Sequence, residues 1–208
     1  KDNMFMPLKR LDDNRIAYQR SAGLAYKQEF YNHFSYDVKT RYMTEYATVL
    51  VPFWQEKNGS IFPVNDFSVS DLEVGLRYAP NEKFYQTRHN RFPINHECPV
   101  FTLTHSIGEK GLLGSDYSSN ITEFSFRKRI WFSFLGYADV VLKAGKQWNK
   151  VPFPLLMIPN ANMSYIIQME SYSLMNAMEF LNDQYAALDY TYYLNGLLLN
   201  RIPLLKKL

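Results

Sequence analysis

The chain has 208 residues, a formal net charge of +3 and 47% hydrophobic residues, with aromatic residues in unusual number (Tyr 16, Phe 15, Trp 3). A charge this small, without a basic cluster, argues against nucleic acid as a partner, and no apolar run approaches the about 18 residues of a membrane-spanning helix. The lack of a membrane-spanning helix does not exclude a membrane β-barrel, because its strands alternate apolar and polar residues. Aromatic girdles are typical of such barrels.

Residues 15–50 predict one long antiparallel hairpin. The even positions from Ile16 to Phe30 and from Phe34 to Leu50 are mostly apolar or aromatic, whereas the odd positions are mostly small, polar or charged. The segment 31–33 is the expected turn. Each run exceeds the about 9–11 tilted residues that cross a bilayer. We therefore expect the even residues to face lipid, the odd residues to face a lumen and the turn to lie on the periplasmic side.

Arg20 is an exception on the even side of the first strand. A charged residue facing lipid costs about 2–4 kcal/mol at the bilayer midplane and about 0–1 kcal/mol near an interface. We expect Arg20 to lie near a headgroup boundary.

The same alternation predicts five further strands. They lie at about 71–78, 98–107, 123–134, 138–147 and 185–199. The loops 52–66, 108–118 and 148–184 are long and the turns 31–33 and 135–137 are short, as in barrels with long external loops and short periplasmic turns. The connection 79–97 breaks this rule, so it is either a periplasmic elaboration or contains a strand pair. A short helix is expected at 173–181 inside the last loop.

These seven strands predict an all-β protein, an antiparallel up-and-down transmembrane β-barrel. Bacterial barrels have an even number of strands and at least eight, so the barrel is expected to be incomplete. Residues 1–208 are then a single β-barrel region and a fragment of a longer chain. A soluble, half-buried sheet also alternates, but it needs a partner layer, and no series of amphipathic helices is predicted to supply one.

The candidate functional residues form a latch between a loop and the barrel wall. Glu179 and Asp183 are four residues apart and share one face if 173–184 is helical. Their carboxylates are expected to meet Arg77, Arg127 or Arg129 inside the lumen. The alternatives are simple anchoring of the loop, and binding of phosphate or lipopolysaccharide by the arginines.

Catalytic and metal chemistry has weaker support. Cys98 is the single cysteine, and His96-x-Cys98 lacks the two further ligands of a zinc site, so neither a cofactor nor a metal is expected. His105 with Ser125 or Ser133 is a candidate hydrolase pair, but no Gly-x-Ser-x-Gly elbow is present.

Several segments resemble a family of outer-membrane proteins of unknown function from Bacteroidota, whose longer members carry a carboxypeptidase-regulatory-like domain before the barrel. The resemblance lies in Leu76–Phe84, Pro99–Leu103, Gly145-Lys146, Pro152–Leu156, Asn160, Met178–Tyr185, Gly196 and Asn200–Leu208. It implies a β-barrel in the bacterial outer membrane.

The leading functional expectation is a non-enzymatic outer-membrane barrel for transport, surface export or assembly. Its expected partners are the lipid bilayer, lipopolysaccharide and other outer-membrane proteins. A soluble β-barrel that binds an apolar ligand would require Phe124, Phe126 and Phe132 to point inward, and a membrane hydrolase is the third alternative.

Overall fold

Period-two alternation in this sequence is realised as extended strands in the computed structural model, which describes residues 17–57, 59–88, 90–162, 164–166, 170–176 and 178–196. Within these residues the strands are β1 (Tyr18–Glu29), β2 (Phe34–Tyr46), β3 (Phe53–Lys57), β4 (Ser60–Val64), β5 (Asp66–Tyr78), β6 (Phe84–Gln86), β7 (Arg91–Pro93), β8 (Val100–Gly108), β9 (Ser119–Trp131), β10 (Tyr137–Gln147) and β11 (Gln184–Tyr193).

Seven of these strands form one antiparallel sheet in the order β1-β2-β5-β8-β9-β10-β11. Chain order equals sheet order apart from two inserted hairpins, which is the up-and-down meander that the alternation predicts. The all-β class and the seven antiparallel strands are therefore confirmed. In the part of the chain that is described, β1 and β11 are the edges of this sheet and do not pair with each other, so the sheet is not closed.

The register sorts the side chains of the sheet into two faces, because residues directly opposite each other on neighbouring strands share a face. One row runs Tyr36, Leu76, Leu103, Phe124 and Ala144 across five strands. The even residues of β1, β2, β5, β9, β10 and β11 and the odd residues of β8 make this apolar face. The other residues make the polar face, so the sequence assigned residues correctly to the two faces.

The segment 52–66, expected to be a loop, contains strands, and the connection 79–97 contains the strand pair that was one of its two alternatives. Residues 52–66 include the hairpin β3–β4, and β5 begins at Asp66, earlier than the expected start near 71. Asn58-Gly59 was interpreted as a breaker, yet an Asn-Gly pair between two strands is also a hairpin signal, and Gly59 has the positive φ of 75° that such a turn uses. The connection 79–97 holds the short pair β6–β7, which lies outside the seven-stranded sheet.

The expected helix at 173–181 is wrong. The described residues of this segment form turns and bends. Met178 has a φ of 57°, which a right-handed helix cannot contain. In addition, the backbone of Tyr172 bonds to Asn160 and Asn162, and that of Asn182 to Met157, so these groups are used across the loop rather than along a helix. Among the described residues, no helix is long and apolar enough to cross a membrane.

The two short turns lie where the sequence placed them. His33 adopts a φ of 64° between β1 and β2, and a single 3-10 turn, Ser133–Leu135, leads into Gly136 before β10. Gly136 has a φ of 101°, a conformation that favours glycine. The hairpins β1–β2 and β9–β10 therefore turn at the same end of the sheet, and the longer loops after β2, β8 and β10 lie at the other end, called here the long-loop end.

Candidate functional site

Charged side chains of the sheet are concentrated on its polar face. Fifteen lie on that face: Lys27, Glu29, Asp37, Lys39, Arg41, Glu45, Asp71, Glu73, Arg77, Glu123, Arg127, Arg129, Asp139, Lys143 and Asp189. The apolar face carries four: Arg20, Asp66, Lys128 and Lys146. The polar face therefore carries most of the ionisable groups of the sheet.

Asp71 connects three strands on the polar face. Its carboxylate accepts hydrogen bonds from Nε and Nη2 of Arg41 on β2, each at 3.0 Å, and from Oγ of Ser106 on β8 at 3.1 Å. Only 5% of the Asp71 side chain is exposed. Beside this group, Lys39 Nζ lies 2.8 Å from Glu73 and 3.0 Å from Asp37. Opposite charges thus pair across strands, which stabilises the register.

Arg129 and Arg77 are held in a similar way further along the sheet. Arg129 donates from Nε and Nη2 to the two oxygens of Asp139 at 2.7 and 2.8 Å, and its Cζ lies 4.1 Å from the centre of the Tyr137 ring. Arg77 pairs at 2.7 Å with Glu82, which belongs to the connection between β5 and β8. Both arginines are therefore parts of the wall structure, each neutralised by a nearby carboxylate.

The β10–β11 loop (residues 148–183) lies over the polar face. Glu170 of this loop accepts hydrogen bonds from two cations of the wall, Arg127 on β9 and Lys143 on β10. A cavity of about 780 Å³ separates loop from sheet. Its lining includes Met157, Tyr172 and Phe180 from the loop and Thr102, Ser125 and Lys143 from the sheet. Glu170 is thus the carboxylate that fastens the loop to the wall.

Tyr185 spans one strand beneath this loop. It lies opposite Gly145, which lies opposite Glu123, so the three residues share one row. The Tyr185 hydroxyl donates to Glu123 Oε1 at 2.8 Å. A Cβ at Gly145 would collide with the Tyr185 ring and contact the sulfur of Met157. The missing side chain therefore makes the room in which the tyrosine crosses the strand.

Three loops meet at the long-loop end and cover the polar face there. Their buried centre is Met43, Phe53, Phe67 and Val69, packed against Tyr117 and Leu155. The Phe53 ring centre lies 5.2 Å from that of Phe67 and 6.1 Å from that of Phe153. Phe53 belongs to the β3–β4 hairpin, Tyr117 to the β8–β9 loop and Leu155 to the β10–β11 loop. We call this cluster the loop cap.

The structure corrects the partners of the expected latch. Glu179 accepts a hydrogen bond at 2.8 Å from the backbone N–H of Asn176, within its own loop, and Asp183 accepts one from Gln147 through its backbone oxygen at 2.7 Å. Neither carboxylate pairs with Arg77, Arg127 or Arg129, whose partners are Glu82, Glu170 and Asp139. The expected shared helical face does not exist, so nothing directs Glu179 and Asp183 together at the wall.

A loop carboxylate does reach the wall, but it is Glu170, which the sequence did not single out. Glu170 has no periodic pattern around it, and its φ of 57° belongs to irregular backbone. Asp71 was assigned to the correct face, yet its partnership with Arg41 and Ser106 required the strand register. Neither residue carried a motif that sequence alone could have recognised.

The hydrolase pair is not assembled. His105 shares a face with Thr122, its neighbour in the register, and lies 2.8 Å from the Thr122 hydroxyl. Ser125 is an odd residue of the same strand as Thr122 and therefore lies on the opposite face, while Ser133 lies in the turn after β9. In the described ranges, no three His, Cys, Asp or Glu side chains are grouped so that they could hold a metal ion.

Comparison with known families identifies the family of the chain but no activity. Residues 10–208 match the model of the C-terminal domain of the family of unknown function DUF5686, and the chain belongs to this family. A comparison with curated proteins found no match. The expected resemblance to a family of unknown function is therefore confirmed.

Proposed function

We propose that this DUF5686 C-terminal domain is part of a transmembrane β-barrel of the bacterial outer membrane, with a non-enzymatic role in transport, surface export or assembly. One observation carries the proposal: the sheet is inverted relative to a soluble protein. Leu103, on a central strand, is 41% exposed and Leu72 is 46% exposed, whereas Asp71 between neighbouring strands is 8% exposed. A charged carboxylate is buried on the polar face, while leucines of the apolar face are open.

The apolar face has no protein layer over it in the described part of the chain. A soluble sheet would bury such a face, since burial of a Leu or Phe side chain is worth about 1.5–3 kcal/mol. Hydrocarbon removes the cost of exposing these side chains to water without a covering layer. It tolerates strands only when their backbone groups are paired, as they are between neighbouring strands of this sheet. The open face supports lipid as its environment.

The limit of the apolar band on the long-loop side differs between the two halves of the sheet. On β5 the band reaches Leu72, whereas on β9, β10 and β11 it ends at Phe124, Ala144 and Ala186, which share a row with Leu76. Strands that are tilted against a membrane displace the limit of an apolar band in this way, and transmembrane barrels tilt their strands by about 35–45°.

Glycines favour a sheet that curls with its polar face inside. All four glycines of the seven-stranded sheet, Gly23, Gly75, Gly108 and Gly145, are on the polar face. A Cβ at Gly23 would lie 2.6 Å from the Thr40 carbonyl oxygen, and one at Gly108 would lie 2.6 Å from that of Ser70. Such crowding belongs on the inner side of a bend, where glycine introduces curvature.

The loop cap bears on the kind of barrel. An open diffusion pore needs a free lumen, whereas here the β10–β11 loop and the loop cap occupy the polar face. We therefore favour a barrel that passes or assembles its substrate by moving these loops. The resemblance to Bacteroidota outer-membrane proteins, whose longer members carry a carboxypeptidase-regulatory-like domain, supports the same location, with the bilayer and lipopolysaccharide as surroundings and other outer-membrane proteins as partners.

The position of Arg20 is compatible with an apolar face in contact with lipid. Its row contains Thr44 and Ser68, two rows beyond that of Leu24 and Leu72, where the apolar face turns polar. An arginine there lies at the limit of the band on the long-loop side, where its charge reaches the headgroups at little cost.

The experiment is a comparison of two adjacent residues. The full-length protein, with Cys98→Ser and a single cysteine at Phe126 or Arg127, is spin-labelled and reconstituted into lipid vesicles. We expect the label at 126 to be relaxed by oxygen dissolved in the bilayer and the label at 127 to be shielded from oxygen.

The reverse pattern, or equal access to water at both positions, would refute the lipid-facing assignment. A monomer that stays in solution without detergent would favour the soluble barrel instead. That alternative would also require Phe124 and Phe126 to move from the open face into a closed interior.

A further inference from the structure

We propose that a polar patch at the edge of the apolar face binds the phosphate group of a lipid in the leaflet on the long-loop side. The patch consists of His105, Thr122, Lys146, Trp148 and Gln184, and we call it the belt-edge patch. The proposal rests on the membrane location proposed above and adds a specific partner to it.

The register brings the patch together from four strands or their ends. His105 on β8 lies opposite Thr122 on β9, Thr122 opposite Lys146 on β10, and Lys146 opposite Gln184 on β11. Neighbouring members are therefore about 4.8 Å apart across the strands and point to the same face. Trp148 follows β10 directly, and its backbone N–H bonds to Asn120 at 2.8 Å. The patch is a continuous row rather than scattered residues.

Side-chain contacts hold the patch in one geometry. The Trp148 indole N–H donates to Thr122 Oγ1 at 2.8 Å, and His105 Nδ1 lies 2.8 Å from the same oxygen. When the hydroxyl donates its proton to Nδ1, Nε2 of His105 is left as an N–H donor. Lys146 Nζ lies 4.5 Å from the centre of the Trp148 ring. The donors are thus fixed before a ligand arrives.

The positive charge of Lys146 suits the patch to an anionic ligand. Lys146 is exposed and pairs with no carboxylate in the described part of the chain. Glu123 follows Thr122, the residue opposite Lys146, but it lies on the other face of the sheet and accepts a hydrogen bond from Tyr185. An ammonium, an imidazole N–H and the Gln184 amide are donors suited to a phosphate monoester or diester, since charge-assisted hydrogen bonds are the stronger ones.

The position of the patch selects a lipid as the source of the phosphate. The next row toward the short turns is Leu103, Phe124, Ala144 and Ala186, all apolar. On its other side the strands run into the long loops. Trp148, 57% exposed, stands at this transition, where tryptophan and snorkelling lysine are typical of a membrane interface. A phosphate anchored there would keep its acyl chains on the apolar face.

The test measures lipid binding by native mass spectrometry of the full-length protein in detergent. The probe is diphosphoryl lipid A, compared with the same lipid after dephosphorylation. We expect Lys146→Gln to weaken binding of the diphosphorylated form at least five-fold and to leave binding of the dephosphorylated form unchanged. Lys128→Gln is the matched control, because Lys128 is equally a lysine on the apolar face but contacts no histidine or tryptophan in the part of the chain that the structure describes.

Three outcomes overturn the proposal. Equal losses in Lys146→Gln and Lys128→Gln would show general electrostatics, and no loss in either would exclude the patch. Displacement of the lipid by millimolar inorganic phosphate would show a site for free phosphate. The spin-label comparison at Phe126 and Arg127, repeated on Lys146→Gln, separates the two proposals: a lipid-exposed Phe126 with unchanged lipid A binding refutes the patch alone.

Discussion

At the scale of single residues, Glu170 links the β10–β11 loop to two cations of the sheet. Its two oxygens are shared between Arg127 and Lys143, on neighbouring strands. A carboxylate between two cations makes charge-assisted hydrogen bonds worth about 1.5–3 kcal/mol each when they are sheltered. The Arg127 side chain is 59% exposed, so solvent screens its share, and the loop is held by about 1–2 kcal/mol at this point.

Glu170→Gln is expected to release the loop. A loss of about 1–2 kcal/mol corresponds to an increase of about 5–30-fold in the open population, which limited proteolysis of the reconstituted protein would detect as faster cleavage within residues 148–183. The ion conductance of the protein in a planar bilayer should rise with the open population of the loop. Glu179→Gln is the control, because among the described residues the Glu179 carboxylate bonds to Asn176, inside its own loop. Equal cleavage rates for both variants would contradict the role of Glu170.

Asp71 supports the register of β2, β5 and β8. Asp71→Asn keeps the size of the side chain but removes the charge that Arg41 pairs with, so we expect a loss of about 1–3 kcal/mol in unfolding free energy. The midpoint of urea unfolding in lipid vesicles measures it. Asp66→Asn, on the same strand with an exposed side chain and no ion pair in the described residues, should change the midpoint little. A similar loss in both variants would mean that Asp71 contributes only as a surface charge.

Cys98 lies in the connection between β5 and β8, beside the Arg77–Glu82 pair. Burial and then the negative charge of Glu82 raise the pKa of the Cys98 thiol, while Arg77 acts in the opposite direction. A raised thiol pKa means that the folded state favours the protonated form. Its stabilising contribution is therefore complete below the unfolded value near 9 and is lost as the pH rises through the raised value.

Glu82→Gln should make Cys98 more reactive. Without the carboxylate, the thiolate is opposed by one charge fewer and Arg77 is free to stabilise it, so the pH midpoint of iodoacetamide alkylation should fall. Glu109→Gln, an exposed acid in the β8–β9 connection, is the control. An unchanged midpoint in Glu82→Gln would show that burial alone sets the reactivity of the thiol.

At the scale of elements, β10 and β11 are fitted together around Gly145. Gly145→Val should expel the Tyr185 ring and break its bond to Glu123, and overpacking of this kind typically costs about 1–3 kcal/mol. Ala144→Val is the matched control, since it adds volume to the adjacent, open face of the same strand. We expect the urea midpoint to fall only for Gly145→Val, and a fall for both would point to strand propensity instead.

The strands of the main sheet were predictable, and a strand pair in 79–97 was one of two alternatives, but the β3–β4 hairpin was not predicted. Long period-two runs such as 18–29 and 34–46 identify their own faces, because every second side chain meets the same environment. The β3–β4 hairpin has five residues per strand and a proline at position 63, so its alternation is too short to stand out. The turn at Met178 likewise defeats a helical pattern that hydrophobicity alone allows.

At the scale of the molecule, the distribution of charge could be predicted and the contacts over the polar face could not. The sequence alone places Arg77, Arg127 and Arg129 on one face, because all three are odd-numbered residues in strands whose odd residues are polar. Their partners depend on the register and on which irregular segment folds back, and Glu170 lies 43 residues beyond Arg127 in the chain. Periodicity carries no information about contacts between an irregular loop and a sheet. The loop was therefore expected over the sheet, but with Glu179 and Asp183 as its carboxylates.

The loop cap sets a condition on the order of assembly. Phe53 and Phe153 touch although they are separated by a hundred residues, with four strands of the seven-stranded sheet between them in the chain. Contacts at such separation form late, since the cost of closing the intervening chain must be met first. In a closed barrel, the β10–β11 loop can reach this cluster only through the open end on the long-loop side, because a closed ring of paired strands offers no lateral entrance. The loop cap would then form after the strands have paired, as the last contact to close over the lumen.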